Sequence, residues 1–424
     1  MSETIKPIDK NLEDVDIFDP ELMGCPHSFF KKLRDEAPVF QDPATGIFQV
    51  SKHELICQVA RDAELFSNQF GAVQRSGGQE YPQEAADILI NEGYPPVDTM
   101  LTADPPRHTR YRSLVDKAFA PKRVSELGPN IEEKINFIID QFYDSGKCEV
   151  TTQISKQLPI RVIAEQLGVP MDDYDKFSNW SDAFVAQLSG TSSPEEHIEI
   201  AKKLVQFQQY FANKLDERED NDSDDILSDL ANLTFEDDDG VNRKLEKSEQ
   251  LSIIQQLLVA GNATTAHSIS EAIYLLIANP DQMDLVLNDY KLIPNMVEES
   301  LRLLTPTNNM WRIATADTEL DGVKIPKNSL IIIRYGSGNR DEDLFENPDK
   351  FDVTRKNSRR HVAFGQGIHV CIGMNLARKE MYTAFPIILD RLKNMRFGED
   401  NDFVYSPNVL LRGLNKLNIE FDAN

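Results

Sequence analysis

Cysteine is scarce in this chain and scattered, with Cys25, Cys57, Cys148 and Cys371 spread over 424 positions. None stands in a CxxC pair, so neither a disulfide framework nor a structural zinc site is indicated. Basic residues are in deficit, 45 against 70 acidic ones, for a net charge of −25. That balance disfavours a surface tracking nucleic-acid phosphates or anionic lipid, and it favours solubility. Long apolar runs are missing: the most apolar helical stretch, Leu251 to Ala260, is short and interrupted by Gln255 and Gln256. No bilayer span is expected. The opening MSETIKPIDKNLEDVDIF has neither the basic n-region nor the apolar h-region of a signal peptide. A cytoplasmic protein, with no nucleic-acid or membrane partner, is the expectation. Acid is concentrated at Asp216, Glu217, Glu219, Asp220, Asp222, Asp224 and Asp225, and again from Glu236 to Asp239. No EF-hand spacing is visible in these runs, which read as solvated loops or helix faces.

What is present is a globular composition, 40% apolar, in a chain long enough to enclose a large cofactor. Residues 38–50 read as a hairpin turning at Asp42 to Gly46. Helical periodicity dominates from there to about residue 300, for example Pro121 to Ser145, with Ile131, Ile135, Ile138 and Ile139, and Glu195 to Leu215. A long helix starts at Ser248 and runs to about Ala278, where Asn279-Pro280 stops it. Two β-prone stretches follow, Trp311 to Ala316 and Val323 to Tyr335. No repeat or Gly/Ser linker divides the chain. The expectation is a mainly α single domain over 1–424, a large helical body with a small β subdomain, preceded by a short flexible segment of about 1–15.

The segment Phe364-Gly365-Gln366-Gly367-Ile368-His369-Val370-Cys371-Ile372-Gly373 has the composition of a metal-binding thiolate loop. A thiol titrates near pH 8.5, so a thiolate ligand needs a metal and amide donors around it. Amides converge on a sulfur only if the backbone turns tightly, which glycine allows through positive φ. The run from Met374 to about Leu389 reads as a helix, kinked near Pro386. Cys371 therefore precedes a helix N-terminus, where the dipole favours an anion. A buried core cysteine beside a glycine turn is the alternative.

The run FGQGIHVCIGMNLAR resembles the haem-binding signature of the cytochromes P-450, the haem-thiolate monooxygenases. The likeness runs from about residue 20 to the C-terminus and is greatest to the soluble bacterial members. It implies a cytochrome P-450 fold, haem b as cofactor, and Cys371 as the axial ligand of the haem iron, in a loop shaped by Phe364, Gly365 and Gly373. Glu299 and Arg302 alone would read as a surface i, i+3 pair. The resemblance instead matches them, with Arg355, to a structural cluster bracing the cysteine loop. His108 and Arg112, on one face of a helix opening after Pro105-Pro106, match a pair that binds haem propionate; Arg312 and His369 match two further propionate ligands.

In the long helix the run Leu258-Val259-Ala260-Gly261-Asn262-Ala263-Thr264-Thr265 holds a glycine that costs about 1 kcal/mol in a helix interior. Small residues admit a flat cofactor, and the Thr264 hydroxyl can bond the Ala260 carbonyl, loosening the helix there. The resemblance makes Gly261, Asn262, Ala263 and Thr264 the oxygen-activating segment. The family usually has an acid where Ala263 stands, so Thr264 and water must carry the proton, with Asn262 assisting. A nitric oxide-reducing branch also lacks that acid, and with a peroxide-using variant it forms the alternative to hydroxylation. By family position the substrate pocket takes in Thr99, Met100, Leu101, Phe184, Leu188, Leu257, Leu258, Asn308, Asn309 and Leu410. The implied substrate is a hydrophobic small molecule, terpenoid, steroid or fatty-acid-like. Asn308 and Asn309 either bind its polar group or bond the nearby backbone. Dioxygen, a ferredoxin and a ferredoxin reductase are the implied partners of a monomer, with Lys117, Arg359, Arg360, Arg378 and Lys379 as the basic docking patch.

Overall fold

The computed structural model describes residues 10–71, 81–189, 192–221, 223–237 and 240–423. The helices that carry the argument are α1 (His53–Arg61), α2 (Arg107–Asp116), α3 (Tyr174–Gln187), α4 (Pro194–Asp216), α5 (Lys247–Ala278), α6 (Ile293–Leu304) and α7 (Met374–Arg391). The strands are β1 (Val39–Gln41), β2 (Phe48–Val50), β3 (Phe66–Ser67), β4 (Met310–Ala314) and β5 (Leu330–Ile333). The mainly helical fold with a small sheet follows the expectation. The chain divides into two compact units.

The first unit comprises the described residues of Met1–Ser67 together with Ser125–Leu158 and Thr264–Asn424. Its sheet runs in the order β1-β2-β5-β4-β3. The expected hairpin is there, Val39 facing Val50 and Gln41 facing Phe48, and β5 joins β2 in parallel with Ile332 opposite Gln49. β4 then pairs antiparallel with β5, Trp311 opposite Ile332. Phe48, Val50, Ile331 and Ile333 bury one face of this sheet against Ile56, Val59 and Ala60 of α1. A second sheet joins Lys393–Phe397, Asn418–Asp422 and Lys147–Glu149. The expected flexible start is corrected in part. Residues 1–9 lie outside the described residues, but Leu12, Val15 and Ile17 are buried.

One helical expectation is also corrected. The single helix over Pro121 to Ser145 is three pieces, Pro121–Glu126, Gly128–Asp140 and a 3-10 turn at Tyr143–Ser145. Pro129 is the reason: it has no N–H to continue a helix but suits the first turn of a new one. The expected helix α7 is present and runs to Arg391 with Pro386 inside it, the proline depriving the Tyr382 carbonyl of its intrahelical donor.

The second unit comprises Asn68–Val124 and Pro159–Ala263. Here α4 begins with a capping box: the Glu196 amide donates to Ser193 Oγ (3.2 Å) and the Ser193 amide to Glu196 Oε2 (2.7 Å), an arrangement worth about 1 kcal/mol. α4 packs on α3 through aromatic rings, Trp180 against Phe207 at 5.7 Å and Phe177 against Tyr210 at 5.8 Å. In the acidic stretch Glu217, Glu219, Asp220 and Asp224 are exposed as expected. Asp225 departs from it: buried, it caps the next helix through the Ser228 amide and pairs with Arg218 at 3.0 Å. Asp222, Asp238 and Asp239 lie outside the described residues.

Candidate active site

The cysteine loop turns on glycine at two positions. Gly365 and Gly367 have φ of 71° and 73°, the left-handed region open to glycine at no steric cost. A Cβ on Gly367 would collide with the Ala60 carbonyl oxygen at the end of α1, so this glycine also fixes how closely loop and helix approach. Gly373 is different: its φ is −82° and it is the N-cap of α7, so positive φ is not its reason. The Cys371 amide donates to the Phe364 carbonyl at 2.9 Å, closing the loop. From Ala363 to Asn375 no side chain is buried, although Phe364, Ile368, Val370 and Ile372 are apolar. Cys371 itself is exposed, whereas Cys57 and Cys148 are buried and burial pushes their thiol pKa values up.

Behind the loop, α6 places two successive glutamates in two networks. Glu299 and Arg302 are fully buried, with Arg302 Nε and Nη2 each 2.8 Å from the carboxylate, which excludes the surface-pair reading. Arg355 Nε reaches Glu299 Oε1 at 2.8 Å. The two arginines then donate to the carbonyls of Asn339, Pro348 and Lys350, and of Glu346, Asn347 and Lys350. The cluster therefore organises the segment from Asn339 to Arg355, and it meets the cysteine loop's approach through Asn339, whose Oδ1 accepts from the Val362 amide at 2.7 Å. Removing Glu299 would leave two buried guanidiniums without their carboxylate, at a cost of about 3–5 kcal/mol.

Glu298 was not singled out by sequence reasoning; only the Glu-Glu doublet hinted at it. Its buried carboxylate accepts from Arg378 (2.6 and 2.8 Å), Tyr382 (2.6 Å) and His361 (3.1 Å). Arg378 is thereby withdrawn from the expected docking patch: it is spent on Glu298 and lies 4.6 Å over the Phe364 ring. Arg359 and Arg360 are exposed and Lys379 is partly exposed, its ammonium lying over Gly128. Lys117, in the second unit, is exposed.

Arg312 on β4 is buried, donating to the Trp311 carbonyl at 2.7 Å and hydrogen-bonding the Tyr335 phenol, which packs beside Gly365. His369 is half-buried in the loop. In the second unit, α2 carries His108 and Arg112 one turn apart. His108 is buried, and burial followed by the Arg112 charge lowers its pKa, leaving a neutral imidazole. Arg112 also holds Asp116 at 3.0 Å.

On α5 the burial pattern separates two faces. Gln256, Ala260, Gly261, Thr264 and His267 are exposed or half-exposed, with Gln255 and Val259 beside them, while Leu258, Asn262, Thr265 and Ala266 are buried. A Cβ on Gly261 would meet nothing within 4 Å, so the helix is open there. Two residues along a helix turn the side chain by about 200°, and Asn262 accordingly points away from Thr264, its amide donating to Ser181 Oγ at 2.5 Å. Asn262 is thus corrected as a helper of Thr264. Ala263 is buried at the edge of the open face.

The pocket residues divide. Leu257 and Leu258 lie on the buried side of α5, and the accessible Ala260 was missed because helix phase cannot be fixed from so evenly apolar a run. Phe184 is core: its ring meets Phe207 edge-on at 5.1 Å. Thr99 and Met100 are buried and Leu101 half-buried, the stretch being tied to α5 by the Leu101 amide on Gln256 Oε1 (3.2 Å) and the Val97 amide on Ser252 Oγ (3.0 Å). Leu188 is half-buried just past α3. Asn308 and Asn309 satisfy backbone: both amides donate to the buried Leu410's carbonyl, and Asn309 Nδ2 reaches the Val409 carbonyl at 2.7 Å. The Asn308 side chain fills the place where Gly336 has no Cβ.

The family model for cytochrome P450 matches residues 78–412. The chain belongs to this family. The steroid C26-monooxygenase of Rhodococcus jostii is 33% identical over 399 residues, 90% of this chain and 80% of that protein. The linalool 8-monooxygenase of Pseudomonas putida is 32% identical over 416 residues, 96% of this chain and 99% of the other. The solved cytochrome P450 CREJ in complex with (4-ethylphenyl) dihydrogen phosphate superposes with a TM-score of 0.89 at 28% identity, covering 97% of this chain and 100% of that one.

As a cytochrome P450 the chain is a monooxygenase with haem b as its cofactor. The residues present fit that group. An accessible thiol sits in a glycine-turned loop before a helix N-terminus, the apolar residues around it are uncovered, and α5 offers an open glycine. Arg312 and His369 in the first unit, and His108 and Arg112 in the second, are side chains of the kind that donate to carboxylates. Among the described residues no cluster of three His, Cys, Asp or Glu side chains could hold a metal ion. Among them, no helix is long and apolar enough to cross a membrane.

Proposed function

We propose that this cytochrome P450 acts as one catalytic domain over 1–424 that hydroxylates a hydrophobic small molecule, with electrons from a separate ferredoxin and its reductase. The carrying observation is the exposed Cys371 sulfur in its glycine-turned loop. Cys371 ligates the haem iron, with Phe364 covering the sulfur and Gly365 and Gly373 shaping the loop; His108, Arg112, Arg312 and His369 hold the propionates. Thiolate ligation supplies the electron donation that favours O–O cleavage. Thr264 and Gly261 occupy the open face of α5, where the threonine hydroxyl holds the proton and its water in place of the acid that Ala263 lacks. Leu101, Leu188 and the missed Ala260 are the wall against which an apolar substrate is oriented. Relatives named for a steroid and for linalool support a terpenoid or steroid class over a polar substrate. Arg359, Arg360 and Lys379 remain the basic residues for an acidic partner, with Lys117 a further candidate on the second unit, in a monomer of the cytoplasm.

The test is optical. Reduced protein with carbon monoxide is expected to give the band of thiolate-ligated haem, and terpenoid or steroid ligands to shift the ferric spin state. A histidine-type carbon monoxide band would overturn the assignment of Cys371. Ala263 favours a second reading, reduction of nitric oxide with direct oxidation of a nicotinamide cofactor; that oxidation, measured without ferredoxin, would replace hydroxylation.

A further inference from the structure

Glu298 is buried, yet both of its oxygens are filled. Arg378 Nε (2.6 Å) and Tyr382 Oη (2.6 Å) donate to Oε1, and Arg378 Nη2 (2.8 Å) and His361 Nε2 (3.1 Å) to Oε2. Burial alone would push its pKa up; the hydrogen bonds from His361 and Arg378 outweigh it and hold the group ionised. His361 Nδ1 accepts the Ala363 amide at 3.1 Å, which leaves Nε2 to face Glu298 as a donor. The ion pair at the centre of the cluster is Glu298 with Arg378.

Both partners of Glu298 close on the same ring. The Arg378 guanidinium lies 4.6 Å over Phe364, and the His361 ring is 5.7 Å from it. The Phe364 carbonyl in turn receives the Cys371 amide at 2.9 Å. One carboxylate thus holds the residue that closes the cysteine loop from two sides, and it neutralises the positive charge that lies over the Phe364 ring.

We propose that Glu298 is a positioning residue that sets the reduction potential of the haem by clamping Phe364 and cancelling the Arg378 charge beside the thiolate. The inference rests on Cys371 being the iron ligand. Reduction adds one electron to the haem, so an uncompensated cation nearby favours the reduced form and an uncompensated anion disfavours it. Removing the two partners therefore moves the potential in opposite directions, whereas loosening of the loop by either change would move it in one.

The experiment is a spectroelectrochemical titration of the haem-loaded full chain at mildly alkaline pH, which favours the ionised Glu298 carboxyl. Glu298→Gln is expected to raise the midpoint potential, Arg378→Gln to lower it, and the double variant to return towards wild type. Glu298→Gln should also enlarge the fraction of carbon monoxide complex that has lost thiolate, with Glu298→Asp in between. If Glu298→Gln fails to fold, Tyr382→Phe, which removes one donor from the carboxylate and leaves the ion pair, is expected to lower the potential slightly while retaining haem. Shifts of equal sign in the two single variants, or no shift at all, would overturn the proposal. Absence of a thiolate band in the wild type would sink the assignment of Cys371 itself, which separates the two failures.

Discussion

Thr264 shows how much one side chain's phase on a helix decides. It lies on the same open stripe as Ala260 and His267, while its neighbour Asn262 is turned to Ser181. With Ala263 unable to donate a proton, the threonine hydroxyl has no carboxyl beside it on the helix to share the task. Thr264→Ala is therefore expected to leave haem binding intact but to divert reducing equivalents into released hydrogen peroxide, about tenfold or more per product formed; peroxide assay against product yield measures this, and equal coupling would count against the role. The threonine and the glycine were legible in the sequence because they matter through their own chemistry. The orientation of Asn262 was not, since nothing in the run LVAGNATTA says which side meets α3. Glu298 was missed for a related reason: a carboxylate's partners at 361, 378 and 382 are distant in sequence and become neighbours only in the fold.

Among elements, the cysteine loop is constrained by the helix it leans on as much as by its own turns. Gly367 combines a φ of 73° with the Ala60 carbonyl of α1 where a side chain would go. Gly367→Ala is expected to cost about 1–3 kcal/mol of stability from the backbone alone, with the steric clash added, and to lower haem retention; Gly373→Ala, with ordinary φ and open space, should cost far less. Thermal melts of the two variants would show the difference, and equal losses would contradict it. Element extents were readable where local signals agreed, as in α4 with its capping box or α5 ending before Asn279-Pro280. They failed at Gly128-Pro129, where an unbroken isoleucine periodicity outvoted a single proline, and Gly367's second constraint was invisible because it comes from α1.

The whole molecule carries its acidity in two forms. Most of the net −25 is solvated, but Glu149, Glu249, Glu298, Asp352 and Glu342 have pKa values lowered in the fold, Glu342 to about 2: burial raises it, and Arg34 more than reverses this. A carboxyl depressed in the folded state contributes stability that is fully present above its unfolded pKa, about 4–4.5, and is lost as pH falls through the folded value. The melting temperature is therefore expected to hold steady between neutrality and about pH 5 and to drop steadily below about pH 4.5; a rise on acidification would refute this. Against such an acidic background the exposed Arg359 and Arg360 should dominate association with an acidic electron donor. Exchanging Arg360 and Lys379 for glutamate is expected to slow reduction several-fold at low ionic strength and little at high, as stopped-flow reduction would reveal; equal rates at both would remove this face from consideration.

The glutamate doublet of α6 has one more consequence. Successive helical residues diverge by about 100°, so a single turn addresses two separate sets of partners, one on each side. An inserted residue just ahead of the doublet would turn Glu298 towards the partners of Glu299 and carry Glu299 past its own, and a deletion would do the reverse, mismatching both at once. This turn is therefore a fixed register mark, and libraries of length variants should leave it untouched while tolerating change in the exposed loops elsewhere in the chain.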